Sequence, residues 1–330
     1  MINVVQFGGR LNFRRSLSAA SFLFAIVVLG SAPALAQAPA PASQSKEALA
    51  FLERAREGVQ LYIDTFKDLT AEETTTVETF SLRGALQDKT TVVSTLVVYR
   101  AQQKPSVFAE YRVAESVDGH GIKDREQRVI KVWERLAKAH SVEDELQRIT
   151  DEGNRQHPYM KAEGFTLFQA PALRPECRSA FRLAETGAEQ IAGRKTRVFG
   201  YVQTEPCALF TYQLGLPLWL EEGRKLHRGQ LWLDADTAQL LREERDLFVE
   251  LASQPKVQVS VMHWVFEYAP SPFGVLVPSA ILMESYRYAG GVFNDIADMR
   301  LSARVTRRYG PFSRFEVKVE QKVTVPEPPQ

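Results

Sequence analysis

"RGQLWLDADTAQLLREERDLFVEL", residues 228–251, is the stretch on which the fold turns. Two readings compete for it. An aspartate ending an apolar strand, with a second aspartate two residues on, can set a nucleophile and an acid/base beside Mg²⁺ for phosphoryl transfer. Asp234 and Asp236 have that spacing, but Thr237 directly follows the second aspartate, where such a site sets it one residue later. Arg228 and Gln230 lie in the run ahead, unlike a parallel strand buried on both faces. Another β-like run comes after, where a doubly wound fold needs a crossover helix. The stretch therefore reads as strand, turn, strand. Asp234-Ala235-Asp236-Thr237 is the turn, because Asp and Thr side chains bond nearby backbone N–H groups.

The same alternation recurs on either side. In "KVQVSV" (256–261), Val257, Val259 and Val261 alternate with polar residues. In "MRLSARV" (299–305), Met299, Leu301, Ala303 and Val305 do so, and in "RFEVKVEQKV" (314–323), Phe315, Val317 and Val319. One face is wet and one dry, the signature of an antiparallel sheet covered on one side. Three earlier stretches, "ETTTVETFSLR" (73–83), "KTTVVSTLVVYR" (89–100) and "SVFAEYRVAE" (106–115), are rich in Thr, Val and Tyr and read as strands, the last ended by an Asp118-Gly119 turn. Turns at Pro270 to Gly274 and at Gly290-Gly291 complete a meander that curls into a barrel or half-barrel.

Two helical patterns interrupt the strands. Residues 47–66, "EALAFLERAREGVQLYIDTF", set Leu49, Leu52, Ala55, Val59 and Ile63 near one face, an amphipathic helix packed on a core. From Asp124, a candidate N-cap, "REQRVIKVWERLAKAH" places Val129, Val132, Trp133 and Leu136 together, with Trp133 as a core residue, and a capping-box-like "SVED" restarts the pattern at Ser141. The expected fold is mainly β with helices (α+β): a strongly curved, open antiparallel sheet or half-barrel, an N-terminal amphipathic helix and a helical insertion at about 123–155.

The chain opens with Arg10, Arg14 and Arg15, continues with the apolar "SFLFAIVVLGS", and reaches "APALA" at Ala36. Residues 1–36 read as a signal peptide cleaved between Ala36 and Gln37, with an uncleaved anchor as the alternative. Arg14-Arg15 leaves both general and twin-arginine export open. Gln37 is not the cysteine of a lipid-anchored protein, so the expected location is the periplasm or the exterior. A Pro/Ala tether (37–45), one domain (46–322) and a disordered tail (323–330) follow. Residues 1–36 hold three of the 41 basic residues and none of the 40 acidic ones, leaving the remainder at a net charge of −2. No run of either sign suggests a nucleic-acid surface or stable membrane insertion.

Cys177 and Cys207, the two cysteines, are expected to pair in an oxidising compartment. The runs around them read as a hairpin centred beside Gly193, which sets the cysteines opposite each other at its open end. Such a bridge contributes about 3 kcal/mol through the unfolded state. The five histidines, 120, 140, 157, 227 and 263, show no ligand spacing, and no nucleophile elbow, phosphate-binding loop or dinucleotide fingerprint is spelled out. No catalytic residue, metal ligand or cofactor is expected. His263, in register with Val257 to Val261, should face the interior as a buried, hydrogen-bonded histidine. Trp264 and Phe266 then fall on the other face, either as a second core layer under the helices or as an exposed aromatic patch.

The helix at 47–66, "SVDGHGIKDREQRV" (116–129), "RGQLWLDADTAQLLREE" (228–244) and "YAPSPFGVLVPSAILMESY" (268–286) together resemble a group of exported bacterial proteins. Their β-rich half is similar to the outer-membrane lipoprotein-sorting (LolA/LolB-like) fold. Gly229, Trp232, Asp234, Thr237, Leu240 and Arg242 match a strand pattern that recurs there. The resemblance implies an open, curved sheet around a helix, with an apolar hollow that receives acyl chains in the transport members. The insertion at 123–155 departs from the carriers, and residues 156–177 match nothing in the pattern.

Three functional classes remain. The first is a non-enzymatic periplasmic module binding a lipid, acyl chain or other apolar ligand in a hollow lined by Val259, Val261, Ile281, Met283, Leu301 and Val317. The second is an envelope scaffold, whose hollow is filled by its own helices and whose outer face binds another envelope protein. A hydrolase without a recognisable motif comes third.

Overall fold

Antiparallel pairing of turn-bounded strands builds most of the described part of this chain. The computed structural model describes residues 45–66, 68–123 apart from 101–107, 170–207, 222–250, 258–289 and 299–314, with seven scattered positions between 124 and 150; of Tyr99 and Arg100 only the backbone is described. All of these belong to one unit, 38–330.

Helix α1 is Lys46–Thr65, and the Ser45 side chain accepts from the Ala48 N–H at its start. Strands β1 (Leu69–Phe80), β2 (Leu86–Arg100), β3 (Phe108–Val117) and β4 (His120–Gly121) follow. Two 3₁₀ turns, Pro171–Leu173 and Pro175–Ala180, precede β5 (Phe181–Ile191) and β6 (Arg194–Gln203). The remaining strands are β7 (Arg224–Asp234), β8 (Leu240–Glu250), β9 (Gln258–Pro270), β10 (Leu276–Tyr288), β11 (Met299–Tyr309) and β12 (Ser313–Arg314).

They form one 12-stranded sheet in the order β4-β3-β2-β1-β11-β10-β9-β8-β7-β6-β5, with β12 on β1. β12 on β1 aside, every neighbour but one among the described strands is a sequence neighbour. The exception is β1 on β11, which joins the first hairpins to the end of the meander. The path is open, with β4 at one end and β5 at the other. Two-residue turns at Asp118-Gly119 (φ 49° and 79°) and Ala192-Gly193 (φ 48° and 80°) have both central residues left-handed, the conformation whose twist matches a hairpin.

The opening stretch is strand, turn, strand. The Asp234 Oδ1 accepts from the Asp236 N–H (3.1 Å), the Thr237 N–H (2.8 Å) and the Thr237 hydroxyl (2.8 Å). Its Oδ2 accepts from Arg194 Nε at 2.8 Å. Burial pushes this carboxyl up, but the Thr237 bonds and the Arg194 charge outweigh it and hold Asp234 below its ordinary value. Asp234 is a turn lock.

The buried face of α1 is Ala48, Phe51, Leu52, Ala55, Val59 and Tyr62, while Leu49 is 47 % exposed. The expected stripe through Leu49 is thus rotated. Phe51 stacks on Phe199 of β6 at 5.8 Å, and Tyr62 stacks on Phe66 at 4.8 Å, so the larger aromatic surfaces take the interior. One end of α1 shares a core with β5, β6, β7, Leu240 of β8 and the 3₁₀ turns; its other end shares one with Leu69, Leu96, Val98, Val277 of β10 and Phe312. Of the expected helical insertion, Gln127, Lys131, Glu134, Arg135, Asp144, Glu145 and Arg148 are described, and all are helical. Asp124, Trp133, Ser141, the Gly290-Gly291 turn and the strand expected from 315 onward lie outside the described residues.

Candidate functional site

Directly paired residues of an antiparallel sheet share a face, so registers can be chained across strands. One row runs Phe199, Leu231, Glu243, Phe266, Ile281, Arg307, Thr75, Val92. The next runs Tyr201, Gly229, Arg245, Trp264, Met283, Val305, Val77. Phe199 lies under α1, so both rows line the helix-facing side. At their centre Leu247, Val249, Val259, Val261, Trp264, Phe266 and Ile281 form one buried cluster, with Met262, Met283 and Met299 packed against it. Among the described residues no side chain of α1 belongs to this central cluster.

Charges are embedded in the same face. The Tyr201 hydroxyl donates to Glu243 Oε1 at 2.7 Å, and the Ala170 N–H donates to Glu243 Oε2 at 2.6 Å. Arg245 lies 3.7 Å from Glu243 and over the rings of Trp264 (5.2 Å) and Phe266 (4.9 Å). A second group forms on β1, β3 and β11. Arg112 donates from Nε and Nη2 to the two oxygens of Glu73, at 2.6 and 2.9 Å, and from Nη2 to Glu110 at 3.0 Å. Arg307 Nε sits 3.9 Å from Glu73. Burial pushes the Glu73 carboxyl up, yet Arg112 and Arg307 hold it below its ordinary value. Burial, with Arg245 nearby, drives His227 well below its ordinary value, so it stays neutral.

Gly229 exists for this packing. A Cβ there would lie 2.1 Å from the Glu244 carbonyl oxygen and 2.7 Å from the Tyr201 hydroxyl. The Tyr201 ring crosses the bare backbone to reach Glu243.

Of the six residues expected to line a hollow, Val259, Val261 and Ile281 are in the central cluster and Met283 packs against it. Leu301 is half-buried on β11, beyond a register shift, and is not in that cluster among the described residues. Val317 lies outside the described residues. The faces expected for His263, Trp264 and Phe266 are reversed. Leu247 pairs with Met262 and Phe248 with Ser260, so Val261 is an extra residue in β9 and flips the alternation beyond it. Trp264 and Phe266 therefore join Val259 and Val261 inside. His263 turns to the other face, where its Nδ1 lies 2.8 Å from Asp246.

That other face carries a ladder of alternating charge: Arg228, Asp246, His263, Glu284, Arg304, Glu78, Lys89. The Asp246 hydrogen bond, with Glu244 and Glu284 nearby, raises His263 above its ordinary value. Cys177 and Cys207 are bridged with their Cα atoms 5.4 Å apart, just beyond the Phe181–Gln203 pair that begins the β5–β6 hairpin. Among the described residues no three His, Cys, Asp or Glu side chains are placed to hold a metal ion, and no helix is long and apolar enough to cross a membrane.

The interior charges are what the sequence reading missed. The signal was present: Glu243 and Arg245 are in period-two register with Leu247 and Val249, and Arg307 with Val305 and Tyr309.

No family model matches the chain, and no curated protein matches it. Solved structures similar to it include an outer membrane lipoprotein-sorting domain from Vibrio parahaemolyticus (9 % identity, TM-score 0.35, covering 81 % of this chain and 95 % of that one). A DUF1329 family protein from Desulfovibrio piger is 11 % identical, with TM-score 0.33 and coverage of 82 % and 94 %. The LolA superfamily protein NE2245 from Nitrosomonas europaea is 10 % identical, with TM-score 0.29 and coverage of 82 % and 94 %. At these values no residue role passes from those proteins to this chain.

Proposed function

We propose that this chain is a non-enzymatic periplasmic binding module for an apolar ligand, a lipid or an acyl chain, exported by its first 36 residues. One observation carries the reading. On the helix-facing side, from β8 to β10, lies an apolar cluster flanked by three methionines, and among the described residues no α1 side chain belongs to it, although α1 packs beside it on Leu240 of β8 and Val277 of β10. Methionine is unbranched and polarisable, and suits a surface that must accommodate varied chains. Curvature of the sheet would turn this side into a hollow. β2 and β6 are seven spacings apart along the sheet, about 34 Å if flat. The helix that touches both rises only about 22 Å between Phe51 and Phe66. Register shifts in seven of the pairings supply the bending that a curved sheet needs.

The test is native mass spectrometry of the protein purified from the periplasm of an expressing bacterium, followed by solvent extraction. A stoichiometric passenger with an acyl chain is expected. A clean apo mass, with no uptake of added lipid, would overturn the reading and direct attention to a protein partner.

A further inference from the structure

We propose that the helix-facing side holds a head-group site at Tyr268 and Tyr309, which binds an uncharged hydrogen-bond acceptor, an ester or amide carbonyl, at the end of an acyl chain. The inference rests on the binding-module reading and adds the chemical class of the ligand's polar end.

Two polar atoms carry it. The Tyr268 and Tyr309 hydroxyls are buried and have no hydrogen-bond partner among the described residues. Native interiors rarely leave such donors unused, because each costs its desolvation. Both side chains pack against the central apolar cluster. The Tyr268 phenol lies within electrostatic reach of Glu243, Tyr62 of α1, Arg245 and Tyr309, and the Tyr309 phenol within reach of Glu73, Arg307, Arg112 and Glu110. In register, Tyr309 pairs with Glu73, and Tyr268 follows Phe266, the partner of Glu243, by two residues, so the two phenols lie beside the two buried charge groups. Burial and the neighbouring carboxylates hold both phenols well above their ordinary values, so each keeps its proton to donate.

Charge balance selects the class of acceptor. Glu73, Glu110 and Glu243 are matched on this face by Arg112, Arg245 and Arg307, and every one of these residues is buried or nearly so. An ionised carboxylate would add an unmatched charge to a desolvated, already neutral face. A carbonyl accepts the same hydrogen bonds without adding one.

The experiment compares three probes that share a chain and differ in head: oleamide, oleate at pH 8.5, and 9-octadecene, each displacing a fluorescent alkyl probe from the purified protein. Oleamide should bind about tenfold more tightly than either other probe. Tyr268→Phe and Tyr309→Phe keep the rings and should each remove most of that advantage while leaving 9-octadecene unchanged. Oleate binding as tightly as oleamide, or Phe variants that leave the ratio intact, would overturn the head-group site while 9-octadecene binding kept the module reading alive. If no probe binds, both readings fall.

Discussion

At the scale of residues, the buried polar groups decide more than the apolar ones. Glu243 accepts from Tyr201 and from the Ala170 N–H and faces Arg245 across 3.7 Å. Removing one member of such a pair leaves the other charge buried, so Glu243→Ala should cost about 3–5 kcal/mol in urea unfolding. Tyr268→Phe deletes an unpartnered hydroxyl and should leave the ligand-free protein as stable as before, or more so. Gly229→Ala should destabilise by about 1–3 kcal/mol or more, because its new Cβ meets backbone at 2.1 Å. Only part of this is legible in sequence. Gly229 stands out in its strand, but its reason, the Tyr201 ring lying across it, is a contact between two strands. Glu243 and Arg245 were readable as inward-facing by parity, and were hidden because charge ordinarily marks the wet face.

At the scale of elements, turns were legible and bulges were not. The Asp234 turn and the Gly193 hairpin follow from residue types with one local conformation each. The one-residue bulge at Val261 has no such signature, yet it reverses the faces of His263, Trp264 and Phe266. Its consequence is testable by pH. His263 sits above its ordinary value through Asp246, flanked on the ladder by Glu284 and, beyond these, by Arg228 and Arg304. Its stabilising contribution is full below its unfolded value, about 6.5, and is lost as pH rises through the higher folded value. Unfolding midpoints measured from pH 5.5 to 9 should therefore fall across that upper window in the native chain and stay flatter in Asp246→Asn. The Cys177–Cys207 bridge should contribute about 3 kcal/mol, read as the difference in unfolding free energy between the native chain and the double Ser variant.

At the scale of the whole molecule, α1 ties together strands far apart in the sheet. Phe51 stacks on Phe199 and receives the Arg197 guanidinium at 4.4 Å, and Phe51→Ala should cost about 3–5 kcal/mol by chemical denaturation. The antiparallel, half-wet character of the sheet was readable from period two, as in Val259, Val261 and Val305. Its non-sequential pairings, β1 with β11 and with β12, were not, since nothing local in these strands names a partner some 230 residues away. The central claim is that an acyl chain lies on the β8–β10 cluster, on the helix-facing side. The most direct measurement is photo-crosslinking with an oleamide carrying a diazirine in its chain, followed by peptide mapping. The account predicts labelling at Met262, Met283, Met299 and their neighbours. Labelling confined to the exposed Leu49 and Leu61 of α1 or to the charged ladder around His263, or none, would contradict it.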